Sequence, residues 1–280
     1  MTGRTYSFEF FPPRTAAGKD KLRATWQQLG LLKPKFFSVT FGAGGSTQAG
    51  TLDTVLEIGR DGFEAAPHIS CVASTRKEIG AILDQYKANG IRHIVALRGD
   101  LPSGVAMAGE LRHADELVAF IRETTGDWFN VEVACYPEYH PQTRNAPDEV
   151  KNFKRKVDAG ANGAITQYFY NADAYFRFVD ECRASGVGIP IVPGIMPIVN
   201  FSQLARFSDA CGAEIPRWMR IKLEGFRDDS ASIRAFGLDV VSALCDKLLA
   251  AGAPGLHFYT LNQSALTTAI WQRLGLPSRA

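Results

Sequence analysis

The feature that most constrains this chain is a rhythm. Eight short β-rich runs recur along 280 residues, separated by stretches with helical apolar spacing. The runs lie at Ser7–Phe11, Phe36–Thr40, His68–Val72, His93–Leu97, Val131–Tyr136, Ala164–Phe169, Ile189–Pro193 and Leu256–Tyr259. Strands that alternate with helices pair in parallel, because parallel neighbours need crossover connections. The count predicts an α/β chain folded as a single (β/α)8 TIM barrel over residues 1–280, a fold that typically takes about 250 residues. An open doubly wound sheet is the alternative, although no composition break or linker marks a second domain.

Local punctuation supports the alternation. Thr75 and Glu78 form a capping box ahead of the apolar stripe Ile79, Ile82, Leu83 and Tyr86, and Gly90 stops that helix. A second helix is predicted from Pro147 to Ala159, with proline suited to the first turn and Gly160 ending it. The long gap between Pro193 and Leu256 holds two further helical patterns, Ser202–Cys211 and Ser230–Leu249, around an intervening segment.

Charge and cysteine usage narrow the function classes. Lys+Arg 31 against Asp+Glu 29 leaves +2, so no global field draws in nucleic acid or a membrane surface. No uncharged apolar run approaches the roughly 20 residues that span a bilayer. The opening MTGRTYSFEFFPPR does not read as a secretory leader. Cys71, Cys135, Cys182, Cys211 and Cys245 show neither CxxC nor zinc spacing, which fits a reducing, cytoplasmic setting. No metalloprotease, EF-hand, nucleophile-elbow or P-loop spacing occurs, so metal and hydrolase chemistry have no positive signal.

In a barrel the active site gathers at the C-terminal strand ends. Those ends carry Glu9, Thr40, His68, Arg98-Gly99-Asp100, Tyr136, Glu138, His140, Gln167, His257, Tyr259 and Asn262. Each has a plainer alternative. Glu9 lies in the apolar run Phe8-Glu9-Phe10-Phe11; facing inward it would be desolvated, which favours a protonated carboxyl as a proton donor, and facing outward it would be an ordinary surface charge. Arg98 and Asp100 also suit a surface ion pair, and His68 a packed core histidine. Gly42-Ala43-Gly44-Gly45-Ser46 suits a phosphate-holding turn or a plain tight turn. Lys151, Lys154, Arg155 and Lys156 suit a pyrophosphate anchor or a solvated helix face.

Taken together and in order, these pieces resemble the methylenetetrahydrofolate reductases in their short bacterial form. The pieces are Ser7-Phe8-Glu9-Phe10-Phe11-Pro12-Pro13-Arg14, Ala65-Ala66-Pro67-His68, Gly90-Ile91-Arg92-His93-Ile94-Val95-Ala96-Leu97-Arg98-Gly99-Asp100-Leu101-Pro102, Tyr136-Pro137-Glu138, Lys154-Arg155-Lys156-Val157-Asp158-Ala159-Gly160-Ala161-Asn162, Ala164-Ile165-Thr166-Gln167 and His257-Phe258-Tyr259-Thr260-Leu261-Asn262. The resemblance implies an FAD flavoprotein that reduces 5,10-methylenetetrahydrofolate to 5-methyltetrahydrofolate by ping-pong hydride transfer from NADH (or NADPH), supplying methyl groups for methionine synthesis. It implies a homo-oligomer, and a catalytic barrel with no regulatory extension. Alternatives are a flavin barrel of the proline dehydrogenase type, or a folate or flavin binder without turnover.

By the same resemblance Glu9 is the general acid, and Asp100 is a catalytic carboxylate near both flavin and folate. Thr40, Ala43, His68, Arg98, Gly99, Asp100, Ala114, Tyr136, His140, Asn152, Arg155, Lys156 and Tyr259 contact the cofactor. Gln167 and Gln203 hold the pterin edge, and Phe207 stacks alternately on nicotinamide and folate. The chain departs from the family's usual pattern at Gln263, where Arg is common, and at His113, where Tyr commonly precedes the alanine.

Overall fold

The computed structural model describes residues 3–41, 48–99, 109–143 and 145–278. Its strands are β1 (Thr5–Phe10), β2 (Phe36–Val39), β3 (Ala65–Ser70), β4 (His93–Leu97), β5 (Asn130–Cys135), β6 (Gly163–Thr166), β7 (Ile191–Val192), β8 (Gly194–Ile195) and β9 (Gly255–Tyr259). All pairings are parallel, in the order β7-β6-β5-β4-β3-β2-β1-β9-β8. Because β7 and β8 are one stave interrupted at Pro193, the two ends of that order meet and the sheet closes into an eight-staved barrel. The strand expected over Ile189–Pro193 is thus split in two.

The break has a local cause. Pro193 has no N–H to donate to the ladder. The next amide, Gly194, donates instead to the side-chain hydroxyl of Thr166 at 2.9 Å, and Pro193 accepts from the His257 amide at 3.0 Å. The stave thus leaves β6 and joins β9 across the proline.

The helices are α1 (Ala16–Gly30), α2 (Gln48–Arg60), α3 (Arg76–Ala88), α4 (Ala114–Thr125), α5 (Ala146–Asp158), α6 (Ala172–Ala184), α7 (Phe201–Cys211), α8 (Arg217–Phe226), α9 (Ser230–Ala250) and α10 (Ala265–Arg273). The capping box expected at α3 is present, with Thr75 and Glu78 satisfying each other's amides. The segment left without a pattern before Ser230 contains α8. Only Met219 and Leu223 are buried on it, while Trp218 and Ile221 face water, so its apolar spacing is blurred.

Strand alternation sorts the core into two compartments. Phe8 and Phe10 point outward, Phe8 packing on Phe37, Phe258 and Trp271 beneath the helices. Phe36, Ala66, Val95 and Ile165 form a separate small cluster, with Leu97 and Tyr259 against it, inside the barrel. Strands β2 and β6 are buried at every residue, as expected where helices cover one face and a filled interior the other.

Candidate active site

Since Phe8 and Phe10 face the helices, Ser7 and Glu9 face the barrel interior. That decides the orientation of Glu9. Its Oε2 lies 3.4 Å from His68 Nε2 and 3.5 Å from His257 Nε2, with the Glu9 side chain 19% exposed. Both histidines are buried, His257 completely. On the far side of His257, Nδ1 and the Ser7 hydroxyl are 2.7 Å apart. Register explains the meeting, for Ser7 pairs with His257 across β1 and β9, and Glu9 pairs with Tyr259 one level higher.

Burial drives the His68 pKa below its ordinary value; Glu9 opposes that shift and His257 adds to it. His68 therefore faces Glu9 as a neutral imidazole rather than as a counter-ion. Tyr259, at the end of β9, donates to the Thr166 carbonyl at 2.7 Å, and burial pushes its phenol well up. Thr40 Oγ1 is buried and has no hydrogen-bond partner among the described residues.

A second sector lies beyond β4 and β5. Gly99 follows β4 with φ +87°, and a Cβ there would overlap Ser70 Oγ and Val72, so only glycine lets the backbone turn this close to β3. Arg98 reaches across to Gln142 Oε1 at 2.5 Å. The His140 ring stands edge-on to Tyr136 with centroids 4.7 Å apart, and its Nδ1 accepts from the Gln142 amide at 3.1 Å. Buried Glu149 on α5 anchors this loop by accepting from the His140 amide and the Thr143 hydroxyl.

The basic run on α5 divides residue by residue. Lys151 is exposed, and Lys154 pairs with Asp158 one turn on, so both belong to a solvated face. Arg155 Nε lies 3.4 Å from Asp115 of α4, whose first residue is Ala114. Lys156 turns inward, donates to the Ala134 carbonyl at 2.7 Å and lies 5.7 Å over the Tyr136 ring. Burial lowers its pKa, and no carboxylate pairs with it among the described residues. The Lys156 ammonium is thus held by a carbonyl and a ring rather than by an ion pair. Asn152 stands one turn before Lys156 on the same helix face.

On the adjoining stave, Gln167 follows β6 and its side-chain oxygen accepts from the Tyr168 amide at 3.0 Å. Gln203 and Phe207 lie one turn apart on α7, and Phe207 is 39% exposed. Thus Glu9, Thr40, His68, Tyr136 and Tyr259 belong to the barrel mouth, with the α5 group and the α7 group flanking it. Ala43 and Asp100 lie outside the described residues.

Sequence reasoning gave Ser7 and Glu149 no role and left His257 as one polar strand end among many. The signal for His257 was the one used for Glu9, a polar residue within an apolar run, here Leu256-His257-Phe258.

Residues 2–275 match the family described as methylenetetrahydrofolate reductase. The chain belongs to that family. A Salmonella typhimurium 5,10-methylenetetrahydrofolate reductase is 42% identical over 271 residues, covering 96% of this chain and 90% of the relative. A rice relative named probable methylenetetrahydrofolate reductase (NADH) is 40% identical over 293 residues, covering 98% of this chain and 49% of that protein. Among solved structures, a Clostridium thermocellum protein described as binding two copies of 5-methyl-5,6,7,8-tetrahydrofolic acid shares the fold, with TM-score 0.67 and 14% identity, covering 98% of this chain and 94% of the other. Family membership makes the Glu9–histidine cluster the part of the barrel mouth to test first. No helix among the described residues is long and apolar enough to cross a membrane.

Proposed function

We propose that this chain reduces 5,10-methylenetetrahydrofolate to 5-methyltetrahydrofolate, with FAD as resident cofactor and NADH as reductant. The observation that carries the reading is the inward carboxyl of Glu9 between His68 and His257, in a chain of this family. The rice relative's name favours NADH over NADPH.

The second sector fits an FAD. Lys156 and Arg155 supply charge for its pyrophosphate, with Asn152 beside them, and Gly99 contacts it through the backbone. Thr40, with its unpartnered hydroxyl, and Arg98, Tyr136, His140 and Tyr259 complete the cradle, along with His68 and Ala114. Ala43 and Asp100 are assigned to it on resemblance. When bound, FAD supplies the hydride relay from nicotinamide to folate that a ping-pong reaction needs.

Glu9 donates a proton to the folate nitrogen whose departure opens the five-membered ring, and the methylene carbon then takes the hydride. His257, oriented by Ser7, touches the same carboxyl oxygen and gives a replacement proton a path. Gln167 and Gln203 hydrogen-bond the pterin edge once Gln167 releases the Tyr168 amide. Asp100 stabilises the cationic iminium by its charge. Phe207 covers whichever ring occupies the mouth. We place the enzyme in the cytoplasm as a homo-oligomer whose product feeds methionine synthesis.

The test is the visible spectrum of purified protein, followed anaerobically through NADH and then methylenetetrahydrofolate. Yellow protein that bleaches with NADH and recolours with the folate supports both half-reactions. Bleaching without recovery rejects the folate, and protein that stays colourless after FAD addition rejects the cofactor.

A further inference from the structure

Glu138, on the loop after β5, is used by none of the steps above. We propose that it is a positioning residue: its carboxyl ties that loop to the C-terminal end of α7, so the strip bearing Tyr136 and His140 and the helix bearing Gln203 and Phe207 hold one relative position. What those two α7 residues do rests on the functional reading above; the clamp itself does not.

The contacts are specific and long-range. Glu138 Oε2 accepts from the Glu214 amide at 2.7 Å, across 76 residues of sequence. Its Oε1 is buried with no hydrogen-bond partner among the described residues. Between them α7 ends at Gly212, whose left-handed φ of +76° turns the chain back against the loop. A Cβ on Gly212 would lie 3.0 Å from Pro141 and 3.5 Å from the Tyr139 carbonyl, so loop and helix end are in close contact. A second tie joins the Tyr168 hydroxyl, beside Gln167, to Ser208 of α7 at 2.9 Å. Glu138, Gln167, Tyr168, Cys211 and Gly212 line one narrow crevice.

The electrostatics give the clamp a direction with pH. Burial pushes Glu138 up to about 7; the Glu214 amide opposes this, the Glu214 carboxylate adds to it, and the Arg177 guanidinium, stacked over Tyr139, opposes it. The Tyr168 phenol and Cys211 complete its surroundings. If the clamp opens, the carboxyl returns to water and to its ordinary value of 4.5. The neutral acid therefore favours the closed clamp, which is fully held below about pH 4.5 and loosens as pH rises through about 7. Glutamine would accept the same amide without the ionisation penalty, so stability alone does not account for a carboxyl here.

Amide hydrogen exchange of residues 201–211 in the full chain, corrected for intrinsic pH dependence, tests this. Wild-type α7 is expected to exchange about threefold faster at pH 8 than at pH 6, the full linkage of about tenfold being discounted for partial solvent access. Glu138→Gln should be slow at both pH values and Glu138→Ala fast at both, with α3 unchanged throughout. Exchange in Glu138→Ala equal to wild type at pH 6, or a rise shared by every helix, overturns the clamp. In turnover, KM for methylenetetrahydrofolate should rise about fivefold in Glu138→Ala and return in Glu138→Gln, with kcat within about twofold. Loosened α7 with KM unmoved leaves the clamp standing and removes Gln203 and Phe207 from the substrate site.

Discussion

At the C-terminal end of the barrel one carboxyl, Glu9, is shared by two imidazoles, His68 and His257. At the N-terminal end the ratio is reversed. His93, at the start of β4, lies 3.1 Å from Glu64 through Nδ1 and 3.5 Å from Glu132 through Nε2. Both His68 and His93 are buried, yet their pKa values move in opposite directions. Burial lowers both; at His68 the single shared carboxyl does not offset it, whereas at His93 Glu132 and Glu64 together outweigh it. The lower cluster is thus an ionic tie between β4, β5 and the residue just before β3, at the end of a barrel associated with stability. The upper one keeps a neutral imidazole beside a carboxyl at the end associated with chemistry.

The largest expected effect separates the two ends by activity. Glu9→Gln should lower folate turnover by about 10²- to 10³-fold with little change in Tm, measured by steady-state assay and calorimetry. Unchanged turnover would remove Glu9 as the acid. His93→Gln should do the reverse. Leaving Glu64 and Glu132 facing each other without their cation costs about 2–3 kcal/mol in urea denaturation, reduced from a fully buried pair because Glu64 is half exposed, while turnover at 25 °C stays near wild type.

The opposite shifts predict opposite pH slopes. The raised His93 contributes stability that is complete below pH 6.5 and lost as pH rises through its folded value, so the cost of His93→Gln should be larger at pH 6 than at pH 9. The lowered His68 contributes stability that is present above pH 6.5 and lost as pH falls, so His68→Asn should cost more at pH 7.5 than at pH 5. Parallel slopes in chemical denaturation at these pH values would undo the comparison. The smallest effect sharpens it: Ser7→Ala frees His257 to reorient and should reduce kcat several-fold, with KM nearly unchanged, in the same assay.

Much of this architecture was legible from local pattern. The capping box at α3, the proline in the first turn of α5 and the short β-rich run of β2 each depend on neighbours in sequence, so short-range chemistry announces them. Glu9 was legible as an anomaly, a charge among phenylalanines, but its direction was not. Alternation allows either face, and only the packing of Phe8 on Phe37, Phe258 and Trp271 chooses. The basic run on α5 was equally visible, yet Lys154 serves solvent and Lys156 the interior, because helix phase relative to β5 decides which side chain is buried.

By itself, then, the sequence determined the alternation of elements, the absence of a net field and the set of polar residues gathered at strand ends. These follow from spacing and composition, which are properties of a chain before it folds. The pairing of Ser7 with His257 across 250 residues, the sharing of Glu9 by two histidines and the Glu138–Glu214 tie were decided by tertiary structure alone. Barrel closure sets strand register, and register brings distant residues within hydrogen-bonding reach. Burial then sets the sign of each pKa shift, and burial is a property only of the assembled whole.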